Sequence, residues 1–242
     1  MKTILHRATT RGHANHGWLN TYHTFSFANY HNPDRIHFGA LRVLNDDTVS
    51  PGAGFGTHPH ENMEIISIPL AGQLQHGDNM GNSGIIKKGE VQIMTAGTGV
   101  THSEKNGSNK EDVKFLQIWI FPKELNLKPR YDQLTIENNT KQNDFQKIIS
   151  PNANDEGLQI NQDAWLHLAH FKKGTLNNYQ IKMEGNGVYV FVIEGNVKIN
   201  DLILNKRDGL GVSETDDLAI EALEDADFLL IEVPMKLPDY FV

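Results

Sequence analysis

The 242-residue chain contains no cysteine. This absence excludes disulfide frameworks, iron–sulfur clusters, thiolate zinc sites and cysteine nucleophiles. Any metal ion must therefore be bound by histidine, carboxylate, carbonyl or water ligands. The chain also lacks a run of about 18 apolar residues, so we expect no transmembrane helix and no membrane partner. Because the N-terminal segment lacks the apolar core of a signal peptide, we expect a cytoplasmic protein.

Basic residues are also fewer than acidic ones. The sequence has 22 lysine and arginine residues against 30 aspartate and glutamate residues, which gives a formal net charge of −8. This balance argues against broad electrostatic binding to nucleic acid or to an anionic membrane, because both carry negative charge. Histidine, in contrast, occurs 12 times. The composition therefore favours metal binding through imidazole groups over direct nucleic-acid binding.

Short apolar segments with alternating polarity and glycine-rich turns dominate the local pattern. Examples are residues 36–44, 63–70 and 113–121 in the first half, and 188–195 and 228–233 in the second. Such runs predict β-strands, and no long window keeps the period of 3.6 residues that is typical of a helix. Many short strands separated by turns predict an all-β sandwich or barrel.

A polar region at 122–163 separates two strand-rich halves. Its segment SPNANDEG combines the Pro, Gly, Asn and Asp residues that are typical of a linker. We place the domain boundary near 140–155, and predict an N-terminal domain at 1–140 and a C-terminal domain at 141–242.

The two halves share a turn pattern. An apolar strand ends at Gly72 in the first half and at Gly195 in the second, and a basic segment with a glycine, Gly89 or Gly209, follows in each. Two antiparallel domains of similar topology are the simplest explanation. Chance similarity between β-hairpins is the alternative.

The strongest chemical signal is two pairs of potential ligands at alternate positions. His58 and His60 form one pair, and His102 and Glu104 form the other. Alternate residues of a strand face the same side, so both members of a pair point in one direction. If the pairs lie on neighbouring strands, about 4.8 Å apart, three nitrogens and one carboxylate converge on one cation. This set suits Fe(II), Mn, Ni, Cu(II) or Zn; the alternative is a solvated turn.

Glu64 is the rival carboxylate. It shares a face with His58 and His60, but it lies four residues beyond His60, about 13 Å along an ideal strand. We therefore prefer Glu104 as the fourth ligand and assign Glu64 to the surroundings of the site. His76 is a candidate for the pocket mouth, with a structural role as the alternative.

Four aromatic residues are candidates for an apolar wall against an aromatic ligand: Trp18, Phe25, Phe27 and Phe38. Ordinary core packing is the alternative for each of them. His167 and His170 fall on opposite faces of one predicted strand in the second half. This placement argues against a joint ligand role for these two histidines.

The motifs resemble those of the pirin family of bicupins, especially its bacterial quercetin 2,3-dioxygenase-like members. The segments that carry the resemblance are residues 11–30, 38–47, 54–65, 76–82, 92–106, 117–122 and 129–133. The match to the general cupin pattern is looser. Seven residues instead of six separate Glu64 from Gly72, and Thr95 stands where cupins usually have proline. In the second half only the general bicupin layout is recognisable.

The resemblance implies an all-β bicupin fold of two antiparallel jelly-roll barrels with one divalent metal ion per chain. Carried over by motif, the metal ligands are His58, His60, His102 and Glu104. Iron(II) is the metal that the family implies first, and Mn, Ni, Cu or Zn are alternatives. The second domain is then a degenerate cupin without metal, because the corresponding positions are Ile181, Met183 and Ala222.

The function that the resemblance implies is a dioxygenase. Its substrates are a flavonol such as quercetin and O₂, its products are a depside and carbon monoxide, and Glu104 accepts the substrate proton. Two alternatives stay open. One is a regulatory or redox-sensing metal protein with a protein partner. The other is a cupin enzyme without redox chemistry, such as an isomerase or decarboxylase.

Overall fold

The computed structural model describes residues 1–136 and 142–241. Apart from two single-turn 3-10 helices at Ala8–Thr10 and Asp239–Phe241, the regular structure of these residues consists of strands. The all-β prediction is therefore confirmed. No helix in the described ranges has the length and hydrophobicity that a membrane crossing requires. The predicted boundary after residue 140 lies outside the described residues and stays a prediction.

The described ranges contain twenty-two strands, which are numbered in chain order. The first twelve are β1 (Lys2–His6), β2 (Gly12–Asn15), β3 (Leu19–His23), β4 (Leu41–Val49), β5 (Gly54–His60), β6 (Glu64–Ala71), β7 (Gln73–Asp78), β8 (Ser83–Lys87), β9 (Glu90–Thr95), β10 (Val100–Asn106), β11 (Val113–Ile120) and β12 (Arg130–Thr135). The other ten are β13 (Phe145–Ser150), β14 (Leu158–Gln159), β15 (Trp165–Phe171), β16 (Leu176–Gln180), β17 (Asn186–Glu194), β18 (Val197–Ile199), β19 (Leu202–Leu204), β20 (Gly209–Ser213), β21 (Asp217–Ala222) and β22 (Ala226–Pro234).

Each half of the chain builds one seven-stranded and one four-stranded sheet. In the first half the strand orders are β12-β9-β6-β11-β4-β3-β2 and β5-β10-β7-β8. Two sheets mostly of second-half strands have the orders β1-β20-β17-β22-β15-β13-β14 and β16-β21-β18-β19. The orders correspond strand by strand, so the two halves share one topology. The described pairs are antiparallel, with the exception of β13 and β14.

The first strand of the chain completes the sheet of the second half. β1 pairs with β20, in the place that β12 takes beside β9 in the other sheet. The side chains reinforce this exchange, because His6 Nδ1 lies 2.8 Å from the hydroxyl oxygen of Tyr189. The N-terminal strand therefore ties the two halves together, and no local sequence pattern reveals this pairing.

The interiors of the two halves differ. The large sheets of both halves pack against each other through a shared apolar core that includes Leu44 and Phe191. The interior of the second half is apolar as well, around Phe228. In the first half the apolar interior is divided into two smaller clusters, one around Val49 and Phe115 and one around Ile65 and Met94. The rest of that interior is occupied by polar side chains, and the candidate site lies among them.

Equivalent turns support the duplication. Gly72 follows β6 and Gly195 follows β17, and both adopt the left-handed conformation, with φ of 71° and 79°. A side chain at either position would collide with a backbone carbonyl oxygen, that of Asp112 or Asp225, at the start of the adjoining strand. Glycine is therefore required in both turns for the same reason.

The predicted correspondence between Gly89 and Gly209 does not hold in the structure. Gly89 lies in the turn between β8 and β9 with φ of 88°, whereas Gly209 is the first residue of β20. In the equivalent turn of the second half the left-handed residue is Arg207, with φ of 67°. The two turns thus adopt the left-handed conformation with different residues, a glycine in the first half and an arginine in the second.

Candidate metal centre

Three histidines meet where β5 and β10 pair. His58 and His60 are alternate residues at the end of β5, so their side chains share a face of the strand. His102 lies directly opposite His58 in the antiparallel register of β10. A register shift follows His102, and Glu104 lies opposite Phe55 beyond it. The pairing of these two strands, which the sequence could not fix, brings the two motifs together.

The geometry of the three imidazoles suits a metal ion. One nitrogen from each of His58, His60 and His102 lies within 4.8 Å of the others. The Nε2 atoms of His58 and His102 are 3.1 Å apart and face each other. His58 Nδ1 lies 2.8 Å from the carbonyl oxygen of Gly56, which can accept a hydrogen bond from an Nδ1–H group. That hydrogen bond leaves the Nε2 lone pair of His58 free for a cation.

Burial keeps two of these rings neutral. It lowers the pKa of His60 to about 4, with a further contribution from the nearby charge of His58. It lowers the pKa of His102 to about 3, and the neighbouring His58 and His60 act in the same direction. Both rings are therefore unprotonated at neutral pH and can donate nitrogen lone pairs. Imidazole nitrogens are ligands that fit a borderline divalent cation such as iron, nickel, copper or zinc.

A row of polar side chains crosses the large sheet next to the histidines. The row contains one residue from each of β3, β4, β11, β6 and β9, and each is directly opposite the next: His23, Asn45, Gln117, Ser67 and Gln92. All five are buried. Buried polar groups need partners, and the centre of this row finds one in Glu104.

Glu104 is fixed by three members of that row. Its Oε1 accepts hydrogen bonds from the Ser67 hydroxyl at 2.7 Å and from the Gln92 amide at 3.0 Å. Its Oε2 accepts a hydrogen bond from the Gln117 amide. The carboxylate is 2% exposed. Its oxygens are not among the candidate ligand atoms that lie within 4.8 Å of one another, which belong to the three histidines. A carboxylate has about four acceptor positions, so these bonds leave capacity for a proton or a cation.

Burial raises the pKa of Glu104, while the hydrogen bonds from Ser67 and Gln117 and the nearby histidines oppose the rise. The carboxylate thus lies in a low-dielectric interior that disfavours its charge and among donors that stabilise it. A carboxylate in this position binds protons more readily than an exposed one. This property is the one that a general base requires near neutral pH.

Glu64 faces other partners. It is completely buried, and accepts hydrogen bonds from the Thr95 hydroxyl at 3.1 Å and from the Asn161 amide at 3.2 Å. Asn161 belongs to the second half of the chain, so Glu64 links the two halves. Burial raises the pKa of Glu64 to about 7, and these hydrogen bonds oppose the rise.

Replacing Glu64 with glutamine is expected to change the pH dependence of stability. The folded state holds the proton of Glu64 up to about pH 7, whereas the unfolded state releases it near the usual value of 4.5. Wild-type stability therefore falls as the pH rises through this window. Glu64→Gln cannot titrate. The difference between its unfolding free energy and that of wild type should therefore shift in favour of the variant by up to about 3 kcal/mol as the pH rises from 4.5 to about 8.

Urea unfolding at several pH values measures this difference. Glu61→Gln is the matched control, because Glu61 is exposed three residues earlier on the chain. The control should follow the wild-type pH dependence. Parallel pH curves for wild type and Glu64→Gln would contradict the assignment.

Aromatic rings surround the histidines. The Trp119 ring packs edge-on against His60 at 4.9 Å, and Phe27 packs against Trp119 at 5.3 Å. His76 is buried beside His102, with ring centres 5.6 Å apart. The His76 ring stacks on Tyr131 at 4.4 Å, and its Nε2 lies 3.0 Å from Asp78 Oδ2. Trp119 was not singled out from the sequence, although its apolar strand was.

A cavity of about 490 Å³ lies close to the three histidines of the candidate centre, although none of them is among its lining residues. Trp18, Phe27 and Phe55 line its apolar side, while Asn45 and Asp47 are among the residues of its polar side. Phe55 joins the cavity to the metal-ligand candidates, because its ring centre is 6.5 Å from that of His58. A cavity of this size and character is typical of a small-molecule site.

The four aromatic candidates divide into two pairs. Trp18 and Phe27 line the cavity. Phe25 and Phe38 are core residues, and each of their rings lies 5.6 Å from the ring of Tyr189. Core packing is thus the outcome for half of the predicted wall, and Phe55 supplies a further ring that the sequence did not single out.

The second half has no corresponding histidine group among its described residues. β16 and β21 take the places of β5 and β10 in its small sheet, and neither strand contains a histidine. His167 lies inside this half near the Tyr179 hydroxyl, whereas His170 pairs with Asp227 at its surface. The two rings therefore serve separate structural contacts.

The comparisons with known proteins agree with this architecture. A pirin family model matches residues 5–120, and a model of the quercetinase C-terminal cupin domain matches residues 147–233. The quercetin 2,3-dioxygenase of Escherichia coli (strain K12) is 44% identical over 230 residues, which cover 95% of this chain and 98% of that protein. The chain belongs to the pirin family.

Solved structures place this pirin among bicupins. The crystal structure of bacterial pirin YhhW from Escherichia coli in complex with nickel(II) is 42% identical, with a TM-score of 0.91, and the match covers 96% of this chain and 99% of that one. At the level of sequence, a pirin-like protein of Caulobacter vibrioides is 38% identical over 222 residues, which cover 91% of this chain and 95% of that protein. The prediction of two antiparallel cupin domains is confirmed.

Proposed function

We propose that this pirin is a metal-dependent dioxygenase that cleaves flavonols such as quercetin with O₂ to a depside and carbon monoxide. The observation that carries the proposal is the convergence of three histidine nitrogens beside an aromatic-lined cavity. The name of the Escherichia coli relative, a quercetin 2,3-dioxygenase, supports the choice of substrate. The nickel(II) complex of YhhW supports a divalent cation.

His58, His60 and His102 would hold the metal, and we propose Glu104 as the fourth ligand. Iron(II) is our first choice, with Mn, Ni, Cu and Zn as alternatives that the same donor set accommodates. A bound divalent ion would supply positive charge to stabilise a flavonol oxyanion and an open position for the second substrate. The hydrogen bond from His58 to Gly56 would orient the first ligand.

Glu104 would take the proton of the reacting 3-hydroxyl group. Ser67, Gln92 and Gln117 hold the carboxylate in one orientation, so it can meet the hydroxyl without reorganisation. The raised pKa of Glu104 increases its proton affinity relative to an exposed glutamate. Proton uptake at Oε1 or Oε2 would weaken the hydrogen bonds from the row, because a protonated oxygen is a poorer acceptor.

The cavity would bind the flavonol rings and limit the access of water. Trp18, Phe27 and Phe55 offer ring faces and edges to an aromatic ligand. Trp119 closes the side of His60 by edge-on packing. An apolar enclosure of this kind disfavours competing hydrolysis and strengthens the interactions of charged groups inside it.

The proposal is tested by incubating the iron-loaded protein with quercetin in air and under nitrogen. We expect the flavonol absorption band to disappear and carbon monoxide to form in air, and neither change to occur under nitrogen. A chelator-treated sample should be inactive in air. If metal and quercetin bind but no turnover occurs in air, the dioxygenase proposal fails and the regulatory metal protein becomes the better hypothesis.

A further inference from the structure

Asp47 is a buried carboxyl group on the wall of the cavity. It lies in β4 with 3% of its surface exposed, two residues beyond Asn45. Thr21 is directly opposite on β3. The Oδ1 atom of Asp47 is buried and has no hydrogen-bond partner among the residues that the structure describes. This group is distinct from Glu104, whose oxygens are bonded to the polar row.

An unpartnered buried oxygen is costly. Leaving a buried acceptor unsatisfied costs more than an average hydrogen bond contributes, so an atom of this kind on the wall of a cavity favours a partner that enters the cavity. Burial also raises the pKa of Asp47 to about 7, and the nearby carboxylates of Asp46 and Glu104 act in the same direction, while Thr21 opposes them. In the protonated form the carboxyl group can both donate and accept a hydrogen bond.

The cross-strand rows give the distance from the reacting end of the site. Trp119, which contacts His60, belongs to one row of the large sheet, and Gln117, which binds Glu104, belongs to the next. Asp47 lies opposite Phe115 in the row after that. Two residues along a strand span about 7 Å. Asp47 is therefore offset from the row that binds Glu104 by roughly the length of the two fused rings of a flavonol.

We propose that Asp47 is a substrate-positioning residue that hydrogen-bonds a ring hydroxyl group remote from the reacting 3-hydroxyl of a polyhydroxylated flavonol. This inference rests on the proposed function for the choice of ligand. The aromatic side of the cavity binds the rings without regard to their substituents, whereas the carboxyl group distinguishes hydroxylated rings from bare ones. Asp47 thereby sets the preference among phenolic ligands, and Glu104 serves the reaction.

The test compares two flavonols under nitrogen on the nickel-loaded protein, with dissociation constants taken from the flavonol absorption spectrum. Quercetin carries remote hydroxyl groups, and 3-hydroxyflavone carries none. Asp47→Leu should weaken quercetin binding about fivefold to tenfold, the value of one lost hydrogen bond, and should leave 3-hydroxyflavone within about twofold of wild type. Asp47→Asn should retain most of the quercetin affinity, because an amide also donates and accepts.

Asp46→Asn is the matched control. It removes the neighbouring carboxylate of β4, which faces away from the cavity and pairs with Arg207 at 2.9 Å. Both dissociation constants should stay within about twofold of wild type in this variant, because loss of the Asp46 charge removes one contribution to the raised pKa of Asp47 but leaves the Asp47 carboxyl group in place. Nickel content and melting temperature of every variant show whether the fold and the metal centre are intact.

The outcomes separate this inference from the proposed function. If Asp47→Leu changes both flavonols equally or neither, the inference is wrong even when wild type turns quercetin over. If the selective loss appears but wild type shows no turnover in air, Asp47 positions a ligand and the dioxygenase proposal alone fails. If wild type binds neither flavonol, both are wrong.

Discussion

Replacing His102 with alanine is expected to lower the affinity for nickel(II) or iron(II) by more than about 100-fold. His102 supplies one of three converging nitrogens and lies directly opposite His58 on the neighbouring strand. Loss of a residue that merely orients a ligand typically costs about 10–100-fold in metal affinity, so loss of a ligand itself should cost more. Isothermal titration and the metal content of purified protein measure the effect.

His31→Ala is the control for this experiment. His31 is exposed and lies outside the histidine group, so its replacement should leave the metal content of the protein unchanged. His58→Ala should behave as His102→Ala does. Wild-type metal content in both ligand variants would show that the three histidines are not the metal centre.

Replacing Glu104 with glutamine is expected to abolish most flavonol turnover and to weaken the fold. A positioned general base typically contributes about 100-fold to 10,000-fold in rate, so a loss in that range is expected for kcat. The amide of the glutamine would present its NH₂ group to donors from Ser67, Gln92 or Gln117. We expect this mismatch to cost about 1–3 kcal/mol of stability.

The nickel affinity of Glu104→Gln separates two roles of the carboxylate. A clear loss of affinity would support Glu104 as the fourth ligand, and an unchanged affinity with lost turnover would assign it to proton transfer alone. Glu111→Gln, at an exposed position, is the control for stability and turnover. Wild-type turnover in Glu104→Gln would exclude the carboxylate from the reaction.

The histidine group was accessible to sequence analysis because its information is local. A strand places residues two apart on one face, so the spacing of His58 and His60 alone indicates that both rings point in one direction. The same spacing singled out His102 and Glu104, and the ligand set that the family resemblance implied agreed with it. The sequence also excluded thiolate chemistry, because the chain contains no cysteine.

The surroundings of that group were not accessible, because they depend on register between distant strands. The polar row that fixes Glu104 takes one residue from each of five strands, and none of these residues stands out alone. Asp47 likewise becomes conspicuous through its burial and its unpartnered oxygen, not through a motif. The pairing of β1 with β20 joins opposite ends of the chain. Glycine spacing suggested the duplication, yet it matched Gly209 to the wrong turn.

Oxygen labelling tests the central claim most directly. Iron-loaded protein is given quercetin under ¹⁸O₂ in ordinary water, and the depside is analysed by mass spectrometry alongside the carbon monoxide. A dioxygenase built on the three histidines predicts two labelled oxygen atoms in the depside, release of carbon monoxide, and loss of both signals in His102→Ala. Flavonol consumption with unlabelled product, or unchanged labelling in His102→Ala, would contradict it.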